Sequence, residues 1–207
     1  MNRRRLAAAV ALGAAACLSL SACASATSPG SAPGSALGAV SPGLPSGEVI
    51  GQGTVLDDGS GAELCLGPVA ESAPPQCAGI PLEGWSWDGL DGAETSGSST
   101  WGTYAVQGTY DGESFTVTQP PVMLALFDPM APADPTGGKK GAGTESELLA
   151  LQEELPERLG DAYFSSYPAD GWMWVDVLWD DGTWQDAADG EFGERTVIIR
   201  SALREIG

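Results

Sequence analysis

The stretch that most restricts the fold is Trp101 to Gln119. From Trp101 to Tyr110 the chain alternates, with Tyr104, Val106, Gly108 and Tyr110 on one face. Phe115 and Val117 then alternate against Thr116 and Thr118. Asp111-Gly112 lies between the two runs, and this pair tolerates the positive φ that a type I′ turn requires. A hairpin is therefore expected, with one face buried.

Other short strands surround it. Glu48 to Leu56 reads as a strand with two interior glycines, so it should bend or bulge. Asp57-Asp58-Gly59 turns the chain. Glu63 to Leu66 is a second short strand, and Val122 to Phe127 adds one more. Asp88 to Thr100 is polar and glycine-rich, a long loop. Five short strands without a strong helix predict a small antiparallel β barrel over 47–127, of the oligonucleotide/oligosaccharide-binding (OB) type.

Cys65 lies on the second strand, and Cys77 in the Pro-rich loop from Gly67 to Ile80. They are an even pair without C-x-x-C spacing, so a structural disulfide is expected if the compartment is oxidising. Closing so short a loop contributes about 3 kcal/mol.

The C-terminal part has a different rhythm. Asp128 to Gly143 is rich in Pro, Gly and Ala and reads as a linker. Thr144-Glu145-Ser146-Glu147 is a capping box, and Leu148, Leu151, Leu155 and Leu159 recur at helical spacing. Pro156 falls inside this pattern, so a kink or two shorter helices are expected, with Gly160 as the stop. Gly171 to Trp179 alternates as a strand, Thr183 to Asp189 can form a short helix, and Thr196 to Leu203 a strand. The order helix, strand, helix, strand makes 144–207 a small α+β unit. It is marginal alone and is expected to pack on the barrel.

Composition excludes several activities. The chain has no histidine, so Ser-His-Asp and Cys-His catalysis, histidine-ligated zinc and a histidine general base are ruled out. It has 28 Asp plus Glu against 9 Lys plus Arg. A balance this acidic repels nucleic acid, which is not an expected partner.

The N-terminus carries a targeting pattern. Arg3, Arg4 and Arg5 precede an apolar run from Leu6 to Leu20, too short for a membrane span of about 20 residues. A basic start, a short apolar run and a small-residue site describe a signal peptide over residues 1–22. Leu20-Ser21-Ala22-Cys23 resembles the lipobox of bacterial lipoproteins. That resemblance implies cleavage before Cys23, a palmitate-bearing diacylglyceryl group on its thiol, and an extracytoplasmic location on the cell membrane. The mature chain would keep 6 Lys plus Arg, for a net charge of −22. Arg3-Arg4 fits both the general and the twin-arginine export routes. Residues 23–46 hold two leucines and a valine among Ala, Ser, Gly, Pro and Thr, and read as a disordered tether.

Further stretches carry a second resemblance. They are Glu63 to Gly67, Pro74 to Cys77, Gly84-Trp85-Ser86-Trp87 and the run from Tyr104 to Val117. These resemble an uncharacterised family of actinobacterial secreted proteins and lipoproteins over residues 48–119. The likeness implies export and a disulfide but no activity.

Four constellations remain. Seven Asp-Gly pairs could hint at calcium, but the EF-hand spacing is missing and turns are the expected role. Gly51-Gln52-Gly53 lacks the rest of a dinucleotide motif. Trp85/Trp87 and Trp172/Trp174 are i, i+2 pairs, so each pair shares a face if it lies on a strand. Such rings can stack on sugars or anchor a partner, yet large aromatics mostly serve the core, and packing is the preferred reading. Paired carboxylates could hydrolyse a cell-wall polymer, but acids this numerous usually line a solvated surface. The expected protein is a non-enzymatic, lipid-anchored lipoprotein without metal or cofactor. It would bind a protein or a cell-wall glycan, with a carboxylate-dependent hydrolase as the alternative.

Overall fold

The hairpin organises the barrel as its alternation predicts. β5 (Ser99–Tyr110) buries Tyr104, Val106 and Gly108, and β6 (Phe115–Val117) returns with Phe115 buried. The turn centres one residue later than expected, on Gly112-Glu113. Gly112 takes φ +100°, and the Asp111 carboxylate accepts from the Glu113 and Ser114 N–H groups. The computed structural model describes residues 36–128 and 134–206.

β1 (Val49–Asp57) runs antiparallel to β5 along its whole length. β2 (Ala62–Cys65) pairs with β1, and β3 (Ile80–Glu83) pairs with β2. β6 then pairs with both β3 and β5 and closes a five-stranded, OB-like barrel. The barrel is mixed rather than wholly antiparallel, because β3 and β6 run parallel. Its fifth strand is β3, not the expected 122–127. That stretch supplies only β7 (Val122–Met123), paired to β5 outside the barrel, and a 3-10 turn over Leu124–Leu126. The loop before β5 also holds a short strand, β4 (Glu94–Ser96). The interior glycines of β1 and β5 allow close backbone contact. A Cβ on Gly53 would lie 2.2 Å from the Cys65 carbonyl oxygen, and one on Gly108 would lie 2.0 Å from that of Thr116.

The C-terminal part begins with the expected capping box. The Glu147 N–H donates to Thr144 Oγ1, and the Thr144 N–H donates to the Glu147 carboxylate. Helix α1 (Glu145–Leu159) runs unbroken through Pro156 and ends at Gly160. Its four stripe leucines are all buried, so packing holds both halves on one axis. β8 (Tyr163–Ala169) follows, a strand hidden in the sequence by Ser165, Ser166 and Pro168. The order is thus helix, strand, strand, helix, strand. β9 (Trp172–Val177) pairs antiparallel with β8 and parallel with β10 (Val197–Ser201), across helix α2 (Thr183–Phe192). Met173, Val175, Val177 and Val197 meet Leu148, Leu151, Leu155 and Leu159 in one core.

Glutamines bond to both edge strands of this sheet. Gln185 donates to the Val197 carbonyl and accepts from the Ile199 N–H, and Gln152 donates to the Ser166 carbonyl. Side chains thereby occupy positions that another strand could take.

Two boundaries need correction. Residues 36–46, expected to belong to the tether, are packed on the fold instead, because Leu37 is 2% exposed and lies in the α1 core. Residues 36–46 form a strap. The Leu37 N–H donates to Glu191, and Trp184 and Trp179 donate to the Val40 and Gly43 carbonyls. Arg158 grips the same Glu191 at 2.8 Å. One buried leucine and a few backbone bonds suffice where an existing surface supplies the rest. Nor is the expected linker a spacer at its C-terminal end, where Gly141, Ala142 and Gly143 bond to the backbone of Asp170, Arg195 and Gly171. The barrel and the C-terminal part also interweave. β11 (Arg204–Glu205) pairs with β1, and Leu203 is buried in the barrel core.

Candidate functional site

Where the barrel meets the C-terminal sheet, a cleft of about 700 Å³ remains open. One wall is barrel: Leu64 and Leu66 at the end of β2, and Ile80 and Pro81 on β3. Tyr110 and Glu113 of the β5–β6 turn close one side, and Asp161, Tyr163 and Phe164 face them from the C-terminal part. Cys65 and Cys77 are bonded, with Cα atoms 6.0 Å apart. The bond ties the end of β2 to the approach to β3, so it fixes the barrel wall of this cleft. Gly67 lies against the Phe164 ring, and a Cβ there would stand 2.9 Å from the ring edge. The absence of a side chain at 67 lets the two walls meet at the seam.

Most of the lining residues are apolar or aromatic, while polar and apolar atoms share the cleft surface about equally. The Tyr110 hydroxyl donates to the Gly112 carbonyl. Burial first, then the carboxylates of Asp111 and Glu113, push its phenol pKa up, so it remains a neutral donor. The charged side chains of the lining are Glu113 and Asp161, both acids.

A neighbouring hollow shares part of this wall. Leu66, Gly67, Pro68 and Phe164 also line a second pocket of about 320 Å³, bounded by Ser165, Asp176 and Arg200. Arg200 is fixed in place. Its Nε and Nη2 reach Asp176 Oδ1 at 2.8 and 2.6 Å, while the Ser165 hydroxyl holds Asp176 Oδ2 at 2.8 Å. Its guanidinium carbon lies 5.1 Å from the Trp174 ring and 5.5 Å from the Tyr167 ring. Those rings stack at 6.4 Å and 12°.

The four tryptophans of the two pairs lie in different surroundings. Trp85 and Trp87 follow β3 in a loop. They pack edge-to-face with each other at 5.1 Å and with Tyr104 at 5.4 and 6.1 Å, against the barrel core. Both pack on the barrel core, and Trp85 also lines a pocket of about 320 Å³ with Val117 and Gln119. Trp172 is buried and donates to the Lys139 carbonyl, so it anchors the former linker. Trp174 alone of the four stands beside a groove residue, Arg200. Of the Asp-Gly pairs, six of the seven glycines take positive φ, as turns require. No group of three or more potential metal ligands occurs among the described residues. Cys23 lies outside the described residues.

Two acids have raised pKa values. Asp180 is raised by burial, and its carboxylate accepts from the Trp184 and Gln185 N–H groups at the start of α2. Asp189 is raised by burial and bonds Gln185. Both serve helix α2 rather than the cleft. The sequence reading missed Tyr110, Phe164, Tyr167 and Arg200. The signal for Arg200 lay in its strand, where one cation interrupts an apolar β-branched run, and the parallel register with Asp176 explains it. No helix among the described residues is long and apolar enough to cross a membrane. Comparison with protein-family models, with curated proteins and with solved structures finds no match.

Proposed function

We propose that this chain is an extracytoplasmic lipoprotein, anchored through a diacylglyceryl group on Cys23, that binds a protein or glycan in the seam cleft without transforming it. The observation that carries the binding role is the position of the cleft. It opens on barrel strands β2 and β3 and the β5–β6 turn, and the corresponding strand 2–3 face with its loops is where OB barrels take their ligands. A ring-lined, open cleft suits stacking on a sugar or an inserted side chain. The acidic balance of the chain argues against an oligonucleotide.

Co-sedimentation of the full chain with insoluble cell-wall glycan, and with wall proteins, tests this role. Phe164→Ala should reduce retention while the protein still melts cooperatively. Release of reducing ends or peptide fragments by the wild type would make it a hydrolase and overturn the non-enzymatic reading. For the anchor, Cys23→Ala should abolish incorporation of a palmitate analogue. Persistent labelling of that variant would refute lipidation at Cys23.

A further inference from the structure

The two adjoining pockets, taken as one groove, differ in charge: the barrel end is acidic, and the far end holds the neutralised Arg200–Asp176 pair. Glu113 and Asp161 border the barrel end, and Arg200 borders the other. Apolar surface lies between, from Leu66, Pro68 and Phe164, which line both pockets. We propose that the ligand of this groove is a short peptide segment with a free carboxylate, seated so that the carboxylate meets Arg200 and an amino group faces Glu113 and Asp161. The proposal rests on the binding role assigned to the cleft above.

Arg200 has the form of a prepared carboxylate receptor. Asp176 Oδ1 accepts from Nε and lies 2.6 Å from Nη2, and Ser165 holds Asp176 from behind. Among the described residues, Nη1 has no hydrogen-bond partner. The outer edge of the guanidinium, Nη1 with the outward Nη2 hydrogen, is therefore left to accept a planar carboxylate on two parallel bonds. Trp174 and Tyr167 wall the cation, and the side chain is 40% exposed. Little rotamer freedom would be lost when a ligand arrives, because the side chain is already held. The tie to Asp176 leaves the Arg200 pair neutral overall, so the fork recognises a carboxylate by geometry rather than by long-range attraction.

The charge of the rest of the chain selects the class of ligand. With 28 acids against 9 bases, it repels a polyanion such as an acidic polysaccharide. A peptide offsets its own carboxylate with an amino group or a basic side chain, which the acids at the barrel end receive. Its apolar side chains fit the floor at Phe164. A neutral glycan would use the rings but leave the acidic end and the open edge of the Arg200 fork unmatched.

The test uses the full chain in detergent and a pool of Lys-Xaa-Xaa-Ala tetrapeptides, with free or amidated C-termini. Equilibrium dialysis with mass-spectrometric counting reads the bound fraction, and a neutral chitin-type oligosaccharide runs in parallel. Retention of free-acid peptides is expected, weakened about tenfold or more by amidation, as for loss of one charge-assisted pair. Arg200→Gln should weaken free-acid peptides by a similar factor and leave amidated ones unchanged. Arg200→Lys keeps the charge but loses the fork, and should fall between. Equal binding of free-acid and amidated peptides would overturn the carboxylate assignment. Binding of the oligosaccharide alone would overturn the peptide while preserving the cleft as a binding site. If no probe binds while wall material still retains the chain, the peptide assignment fails and the binding role stands.

Discussion

Leu37→Ala measures how firmly the strap is built into the fold. Leu37 is 2% exposed and shares the core of Leu148, Leu151 and Leu155. Fully burying a leucine contributes about 1.5–3 kcal/mol, and truncating one in a core costs about 2–5 kcal/mol once the cavity is included. Leu37 stands on an irregular strap at the rim, where neighbours can settle inward. The lower part of the range applies, about 2–3 kcal/mol. Domains have only about 5–15 kcal/mol in total, so this is a large fraction. For a chain of this length the melting temperature should fall by about 5–10 °C. Urea unfolding of the full chain, followed by tryptophan fluorescence, reads the change in midpoint. Limited proteolysis gives a second reading, since cleavage within 36–46 should be slow in the wild type and fast in the variant. An unchanged urea midpoint together with rapid cleavage of the wild-type strap would refute the docked strap and restore a spacer through residue 46.

Three further expectations follow from the same geometry. Alkylation without reductant should label neither Cys65 nor Cys77, and their double replacement by serine should cost about 3 kcal/mol in unfolding experiments; a labelled thiol at either position refutes the bond. Trp172→Ala should cost about 3–5 kcal/mol, the range for a buried tryptophan, whereas Trp174→Ala should cost clearly less and act on ligand retention instead; the reverse order of stabilities would contradict the assignment of packing and binding roles. Asp180 has a folded pKa raised by burial, so its ionisation opposes folding and stability is lost as pH rises through that value. Asp180→Asn, which removes the charge and keeps an acceptor for the α2 N–H groups, should therefore become more favourable relative to wild type between pH 4 and pH 7, and a trend of opposite sign in the unfolding free energies would refute the burial argument.

Local signals in the sequence translated directly into structure. Thr144 with Glu147, the leucine stripe and the β5–β6 turn, displaced by one residue onto Gly112-Glu113, each act within a few residues, so no partner has to be known. The barrel type was legible from alternation, but its closure was not. Ile80–Glu83 carries Pro81 and looks like loop; it becomes a strand because Leu64 and Phe115 lie beside it. The run from Val122 to Phe127 looks more like a strand, yet only Val122 and Met123 pair with β5, at Ala105 and Tyr104, before the chain turns at Leu124. The candidate groove was hidden for the same reason. Phe164 and Arg200 are 36 positions apart and meet only after the three-stranded sheet forms. Trp85 and Trp87 drew attention by their type, but type does not tell whether a ring faces a core or a ligand.

The strap sets how far the folded body can stand from an anchor. With a spacer through residue 46, the 24 residues from Cys23 to Gly47 could reach about 85 Å at full extension. Docking at Leu37 leaves 14 residues, or about 50 Å. On the proposed lipid attachment, the groove would work within a shallow layer next to the bilayer. It could meet polymers and proteins as they emerge from the membrane, but not those in the outer layers of a thick wall.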